Sequence, residues 1–409
     1  MHIPSERVYK EMRSEAASLW VVPANAGAEI AFLVKAPTSA IKALIARCSL
    51  EFLLGKIGGC LCHGVRIKDS PDAPLLISGA VRIEEEHLAI DRLIQDKRAP
   101  LFLFNEMDVC LTWTNLEFND LEAEAAANLI GDHKALYEGP FDASCSHALD
   151  CFCFSTDATQ RYPNASMVPI ATIRFILEPW RTNTNHFVGV RESHAVNMGS
   201  LEEGEIAERS IWAALESVFP LTLYKSPQVE IGNKARELTD VLSFHEYGCF
   251  LIESKDLSVL RSGYQRSQDR RISGVQKQAR KAVRQLVGAS KAISRGERIL
   301  DQVGGEIEVI RDKPAHCIVL ITELEHSGDW SGVEKDLIAA MQDTGAFFHV
   351  IDLRELITLL KGSSGDAALL DYNLMERCKR FAEVRSVHIR SQIAPNKQYA
   401  PSDAGNQHG

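Results

Sequence analysis

Residues 237–256 read ELTDVLSFHEYGCFLIESKD, and this is the most informative stretch in the C-terminal half of the chain. Its two runs of β-branched and aromatic residues predict a β-hairpin that turns near the middle. Side chains alternate along a strand, so Glu253 and Lys255 lie on one face while Ser254 points to the other. A two-residue turn places Asp240 on the face of this pair, whereas a three-residue turn places it opposite Ser254.

Two positions of the two-residue turn are open. A turn at Glu246 and Tyr247 sets Asp240 directly opposite Glu253, and a turn one residue later sets it opposite Lys255. Two carboxylates about 5 Å apart repel each other unless a cation lies between them, and such oxygen ligands suit Mg²⁺ or Mn²⁺. A lysine beside the cation can orient an attacking water and offset charge that develops on a phosphate. The stretch therefore predicts a metal site for phosphodiester hydrolysis.

The same stretch resembles the PD-(D/E)XK nuclease superfamily. The aspartate that opens the second core strand matches Asp240, and the E-x-K of the third strand matches Glu253, Ser254 and Lys255. The resemblance implies that the metal is bound by Asp240, Glu253 and the backbone carbonyl of Ser254. It also implies that Lys255 positions the water. Thr239 stands where the superfamily's name has a proline, a letter that is loosely kept.

The flanking helices extend the resemblance. Residues 203–219, EGEIAERSIWAALESVF, resemble the first core helix, whose site-facing glutamate would be Glu208. Residues 276–289, QKQARKAVRQLVGA, resemble the helix that follows the lysine strand. Its site-facing glutamine would be Gln278, with Gln285 as the second choice.

The second of these helices also has an apolar and a basic face. Its apolar stripe near 3.6-residue spacing consists of Val275, Ala279, Ala282, Leu286 and Ile293. From Lys255 to Arg298 there are twelve Lys and Arg residues and three acids, a net charge of +9 in a chain whose net charge is −10. A basic segment in an acidic protein favours contact with phosphates. The predicted nucleic-acid ligands are Lys277, Arg280, Lys281 and Arg284.

The alternation of strands and helices predicts an α/β domain from about residue 200. The resemblance covers residues 200–300 well and makes this domain a restriction-endonuclease-like mixed sheet flanked by helices. We assign the nuclease domain to residues 200–395, with its last strand at 387–393. The polar tail, residues 396–409, is predicted to be disordered.

Residues 1–199 predict an N-terminal α+β domain of unassigned role. Strand-like runs occur at 28–34 and 74–83, and residues 39–57 have helical apolar spacing. From 119 to 168 the pattern weakens into polar sequence with Gly, Pro and Asn. That segment is the most suitable place for a domain boundary or a long excursion.

The composition is that of an ordinary globular protein, with 45% hydrophobic and 24% charged residues. The sequence has no apolar run long enough to span a membrane and no secretory signal pattern, so a cytoplasmic location is expected. Ten cysteines, several in apolar runs, predict buried, reduced thiols. A zinc alternative involves Cys60, Cys62, His63, Cys145, Cys151 and Cys153. These residues lack the CxxC repeat typical of structural zinc sites.

These features predict a Mg²⁺-dependent nuclease that acts on DNA, or less favourably on RNA. The resemblance makes restriction, repair or antiviral defence against phage the expected setting. Residues 1–199 are then a docking region for a protein partner, and self-association of the chain is open. The alternative is a binding or assembly module that keeps the fold without cleavage, although the intact Asp, Glu and Lys argue against it. No P-loop or GxSxG motif is present, which disfavours an intrinsic ATPase or a serine hydrolase.

Overall fold

The computed structural model describes residues 5–70, 73–157, 162–190, 193–197, 203–232, 234–255, 268–321, 324 and 328–392. The strands of the N-terminal half are β1 (Ser18–Ala24), β2 (Glu29–Lys35), β3 (Leu50–Ile57), β4 (Cys60–Ile67), β5 (Leu75–Val81), β6 (Arg98–Phe104), β7 (Cys110–Glu117), β8 (Ile170–Arg174), β9 (Ile176–Leu177), β10 (Arg181–Thr182), β11 (Thr184–Val188) and β12 (Ser193–Asn197). Its helices are α1 (Glu6–Ser14), α2 (Thr38–Ile45), α3 (Glu84–Asp96), α4 (Asp120–Ile130) and α5 (Ala143–Thr156).

The C-terminal half has eight further strands and five further helices among the described residues. The strands are β13 (Leu223–Lys225), β14 (Gln228–Ile231), β15 (Lys234–Glu237), β16 (Val241–His245), β17 (Gly248–Lys255), β18 (Ile299–Leu300), β19 (His316–Ile321) and β20 (Phe347–Asp352). The helices are α6 (Glu203–Glu216), α7 (Gln268–Ser294), α8 (Ser331–Thr344), α9 (Leu353–Ser363) and α10 (Ala367–Val384). The fold is therefore α/β, as the sequence predicts.

Two larger sheets form the N-terminal half. One has the order β1-β2-β6-β7-β10, with β9 also paired to β7, and the other has the order β5-β4-β3-β8. The phenylalanines Phe32 of β2 and Phe52 of β3 meet edge to face, with ring centroids 5.0 Å apart. Aromatic and aliphatic side chains from both sheets thus share one apolar core.

The helix predicted over residues 39–57 is wrong in its second half. Helix α2 ends at Ile45, and residues from Leu50 onward form strand β3, which pairs antiparallel with β4. The cause is the turn at Gly58 and Gly59, both at positive φ, which closes a two-residue hairpin. Glycine adopts this conformation without strain, so the hairpin prevails over the local helical spacing.

The polar segment 119–168 is neither a boundary nor an excursion. It contains helices α4 and α5, which pack on strands of the four-stranded sheet. The side chain of Asn119 caps α4 by accepting a hydrogen bond from the amide of Glu122 at 2.9 Å. Asp142 caps α5 in the same manner. Two of the polar residues that weakened the pattern, Asn119 and Asp142, are thus helix caps.

The C-terminal half is built on a five-stranded mixed sheet of order β13-β16-β17-β19-β20. The first three strands are antiparallel, and β17, β19 and β20 are parallel. Helices cover both faces: Phe250 and Ile252 lie in a core with residues of α6 and α9, and Leu251 lies in a core with α7 and α8. Because side chains alternate, Glu253 and Lys255 belong to the α7 face.

The strand predicted at 387–393 is wrong for the residues that the structure describes, which end at 392. Arg377 of α10 inserts between this segment and β20, donating to the carbonyls of Val350 at 3.1 Å and Ile389 at 2.8 Å. The amide of Ser391 donates to Glu355 instead of to a strand. An arginine side chain therefore replaces strand pairing at this edge. The predicted disordered tail, residues 396–409, lies outside the described residues.

Candidate active site

The hairpin of β16 and β17 has one of the two even registers that the sequence allows. His245 pairs with Gly248 across a turn at Glu246 and Tyr247, and Val241 pairs with Ile252. Continuing this register by one residue sets Asp240 opposite Glu253. The turn therefore brings the two predicted carboxylates together.

Lys255 contacts both Asp240 and Glu253. The Lys255 Nζ atom lies 2.7 Å from Glu253 Oε2 and 3.9 Å from Asp240 Oδ2. The backbone amide of Ser254 donates to Asp240 Oδ2 at 2.6 Å. The three side chains thus gather at the end of β17, on the face covered by α7.

Glu253 is the most buried of the three, with only 2% of its surface exposed. Burial raises the pKa of its carboxyl, the hydrogen bond from Lys255 lowers it, and the nearby charge of Asp240 raises it again, leaving the pKa above its usual value. The charge of Glu237 acts in the same direction. The carboxylate form of Glu253 therefore depends on a positive charge beside it.

The side chains that could hold a metal are Asp240 and Glu253. Among the residues that the structure describes, no three His, Cys, Asp or Glu side chains are arranged to hold a metal ion. The two carboxylates nevertheless fit a hard cation, because each offers oxygen ligands and a cation between them relieves the repulsion of their like charges. The ammonium of Lys255 contacts both, so this point already accommodates a positive charge.

Glu208 and Gln278 lie in the predicted helices, α6 and α7. No contact of either side chain with Asp240, Glu253 or Lys255 is seen among the described residues. Glu208 lies in α6, and its side chain is outside the described residues. The described buried residues of α6, such as Ile211, pack on the sheet face opposite to α7. Gln278 is half-buried on α7 and Gln285 is exposed. The contact among the three central side chains does not include either glutamine.

Helix α7 has the two faces that its sequence predicts. Every residue of the predicted apolar stripe is buried: Val275, Ala279, Ala282, Leu286 and Ile293. Lys277, Lys281 and Arg284 are exposed. Arg280 instead pairs with Asp336 of α8 at 2.7 Å, so its charge is partly neutralised within the protein. Part of the basic segment, residues 256–267, lies outside the residues that the structure describes.

The cysteines remain thiols. All ten are free, and burial raises the pKa of Cys62 well above its usual value and that of Cys249 to about 12. The Sγ atoms of Cys60 and Cys145 lie 3.7 Å apart. Zinc binds the thiolate, and burial raises the pKa of Cys60 and Cys62, which disfavours that form of these two side chains.

The sequence reasoning did not single out the ion pair of Asp352 and Arg390. Asp352 ends β20 and is in register with Ile321, which is itself paired with Lys255. Arg390 donates to both oxygens of Asp352, at 2.6 and 2.7 Å. Burial opposes the charge of Asp352, but these bonds outweigh it and hold its pKa below the usual value. The sequence signal for this pair is Asp352 itself, an acidic residue that directly follows the apolar run of a buried strand.

Comparison of the chain with protein-family models, curated proteins and solved structures finds no significant match. No helix in the described part of the chain is long and apolar enough to cross a membrane.

Proposed function

We propose that this protein is a metal-dependent nuclease that hydrolyses phosphodiester bonds, with DNA as its substrate. One observation carries the proposal: the Lys255 ammonium lies 2.7 Å from Glu253 and 3.9 Å from Asp240, at neighbouring strand ends. Two acids and a lysine at one point are the groups that metal-assisted phosphodiester hydrolysis requires. They are also the three residues that match the PD-(D/E)XK pattern.

Each side chain has a distinct role in this proposal. Asp240, Glu253 and the Ser254 carbonyl would hold Mg²⁺ or Mn²⁺, which when bound supplies Lewis acidity and favours deprotonation of the attacking water. Lys255 orients that water and stabilises charge that develops on the phosphate. The amide of Ser254 fixes one oxygen of Asp240 at 2.6 Å, so that carboxylate is oriented before substrate arrives. Glu208 and Gln278 would assist from the flanking helices.

The surface of α7 supports a nucleic-acid substrate. Lys277, Lys281 and Arg284 are exposed on the helix that covers the same sheet face as the three central side chains. Exposed cations of this kind neutralise phosphates and position a strand without reading its sequence. We place the enzyme in the cytoplasm, in restriction, repair or antiviral defence, with residues 1–199 as the region that recognises a protein partner.

The test is metal-dependent cleavage of plasmid, single-stranded DNA and RNA by the wild type and by Lys255→Ala. We expect Lys255→Ala to lose about 100-fold or more in rate, as removal of a group that stabilises transition-state charge does. Lys313→Ala is the matched control, because Lys313 is a half-exposed lysine away from the sheet end. Equal rates for the wild type and Lys255→Ala, or no cleavage with any metal, would reject the nuclease.

A non-catalytic module that retains the fold is the second candidate. The ion pairs of Arg280 with Asp336 and of Lys291 with Asp343 favour it, because part of the basic helix is already neutralised by α8. Such a module would bind nucleic acid or a protein partner without cleaving. Preferential loss of RNA in the same assay would instead assign the substrate to RNA.

A further inference from the structure

The residues just before β16 lie beyond its ladder with β17 and are joined to that strand by side-chain hydrogen bonds. The last ladder pair is Val241 with Ile252. Just before it, the hydroxyl of Thr239 donates to the carbonyl of Ile252 at 2.8 Å. Thr239 is completely buried, so this hydroxyl exchanges with water poorly and the bond fixes the chain at that point.

Asp240 is fixed from both sides next to this bond. On one side the amide of Ser226 donates to the Asp240 carbonyl at 2.8 Å. On the other, the amide of Ser254 donates to the Asp240 carboxylate at 2.6 Å. These bonds hold the backbone and the side chain of Asp240 between two neighbouring segments. Thr239 completes the arrangement, because it ties the residue before Asp240 to the strand that carries Glu253.

We propose that Thr239 is a positioning residue that keeps the carboxylate of Asp240 beside Glu253 and Lys255. This inference rests on the proposed function, since it deepens the description of the same site. The residue stands where the PD-(D/E)XK name has proline, which cannot donate such a bond. A threonine hydroxyl in this chain thus performs the task of fixing the approach to the acidic residue.

The first test is the affinity of the intact protein for Mn²⁺, measured by calorimetry without substrate. Thr239→Val removes the hydroxyl but keeps the shape, and we expect about 10- to 100-fold weaker binding, the usual effect of losing a group that orients a metal ligand. Thr239→Ser keeps the hydroxyl and is expected to bind like the wild type. Wild-type affinity in Thr239→Val, or a comparable loss in Thr239→Ser, would overturn the role.

Ser243→Ala provides the matched control. Ser243 lies in β16, shortly after Thr239 in the chain, and is equally buried, and its hydroxyl has no hydrogen-bond partner among the described residues. Removing it deletes a buried hydroxyl without breaking a bond between segments, so Mn²⁺ affinity is expected to stay at the wild-type value. A loss equal to that of Thr239→Val would show that any buried hydroxyl in this part of the chain has the same effect, and the role of Thr239 would be rejected.

A metal-free measurement separates this inference from the proposed function. Hydrogen exchange of the Ser254 amide is expected to become faster in Thr239→Val, because Asp240 no longer holds that amide steadily. Unchanged exchange in the folded variant would overturn the positioning role whatever the metal data show. If the wild type binds no Mn²⁺ but the exchange rate rises, the proposed metal chemistry fails while the positioning of Asp240 stands.

Discussion

At the scale of single residues, the site depends on a buried carboxylate with one close cation. Glu253 is almost inaccessible to solvent, and Lys255 contacts it at 2.7 Å. Burial raises the pKa of Glu253, and the ammonium opposes that rise. Removing the cation would therefore leave an unpaired buried charge at neutral pH.

We expect Lys255→Met to destabilise the protein at pH 7 by about 2 kcal/mol, a partial loss of a buried pair. Without the ammonium, the pKa of Glu253 is raised further above its unfolded value, so the folded state binds the proton more tightly. The deficit should therefore shrink as pH falls through that raised pKa. Urea unfolding from pH 7 to pH 4.5 measures it; a deficit that grows on acidification would contradict this reasoning.

His63 on β4 gives a second prediction at this scale. Burial lowers its pKa from 6.5 to about 3, so the unfolded chain binds a proton between these values that the folded protein does not. Stability is therefore lost as pH falls from 6.5 towards 3, by about 2 kcal/mol at pH 5 from this residue. His63→Phe should remove that part of the pH dependence. An unchanged pH profile in urea unfolding would show that His63 is not the cause.

The position of the hairpin turn limits how much of the site can be predicted from the sequence. Alternation along β17 placed Glu253 and Lys255 on one face, and in the structure Lys255 contacts both Glu253 and Asp240. The choice between the two even registers could not be made, because Glu246 and Tyr247 are not the Asn-Gly or Asp-Gly residues that mark a turn type. The side-chain bond of Thr239 was also beyond the sequence, since it joins residues thirteen positions apart.

At the scale of elements, periodicity predicted which residues a single helix buries, but it did not predict contacts between two elements. The apolar stripe of α7 is confirmed because a helix buries residues at 3.6-residue spacing wherever it packs. The strand at 387–393 was wrong because Arg377, on a different element, takes the carbonyls of Val387 and Ile389. The helix over 39–57 was wrong because its second half pairs with β4, the strand that follows it across the Gly58–Gly59 turn.

We expect Arg377→Leu to destabilise the protein by about 3 kcal/mol, because it leaves three carbonyls without their arginine donor and the buried Glu355 without its counter-charge. Arg377 is 6% exposed and pairs with Glu355 at 3.5 Å. Arg380→Leu, one turn along the same helix, is the control: its exposed pair with Glu383 should be worth less than about 1 kcal/mol. Similar losses of stability in both variants, measured by urea unfolding, would show that Arg377 does not hold the C-terminal segment against β20.

At the scale of the whole molecule, a buried ionic contact joins the two halves. Asp108, in the turn between β6 and β7, pairs with Lys361 of α9 at 2.6 Å and also with Lys35 of β2. Met107 of the same turn packs against the core beneath α6 and α9. Local sequence patterns do not indicate a contact between residues as far apart as Asp108 and Lys361, so this ion pair was not predicted. The proposed nuclease domain therefore has a fixed connection to the N-terminal half.

We expect Asp108→Asn to destabilise the protein by about 3 kcal/mol at pH 7, because two lysines lose their counter-charge. Burial lowers the pKa of Lys35 to about 8. Without Asp108 that pKa falls further, so the folded variant loses the proton of Lys35 at a lower pH than the folded wild type does, and the deficit should shrink as pH rises towards 8. Asp120→Asn, which breaks an exposed pair with Lys97, is the control and should cost less than about 1 kcal/mol. Equal costs in urea unfolding would reject the buried contact.

The most direct measurement is the anomalous-scattering map of a crystal soaked in Mn²⁺. We expect a peak within about 2.5 Å of a carboxylate oxygen from both Asp240 and Glu253, with Lys255 beside it. The same soak of Asp240→Asn should lose the peak. A map of the wild type without density between these carboxylates, or with Mn²⁺ bound only elsewhere, would contradict the proposed metal site.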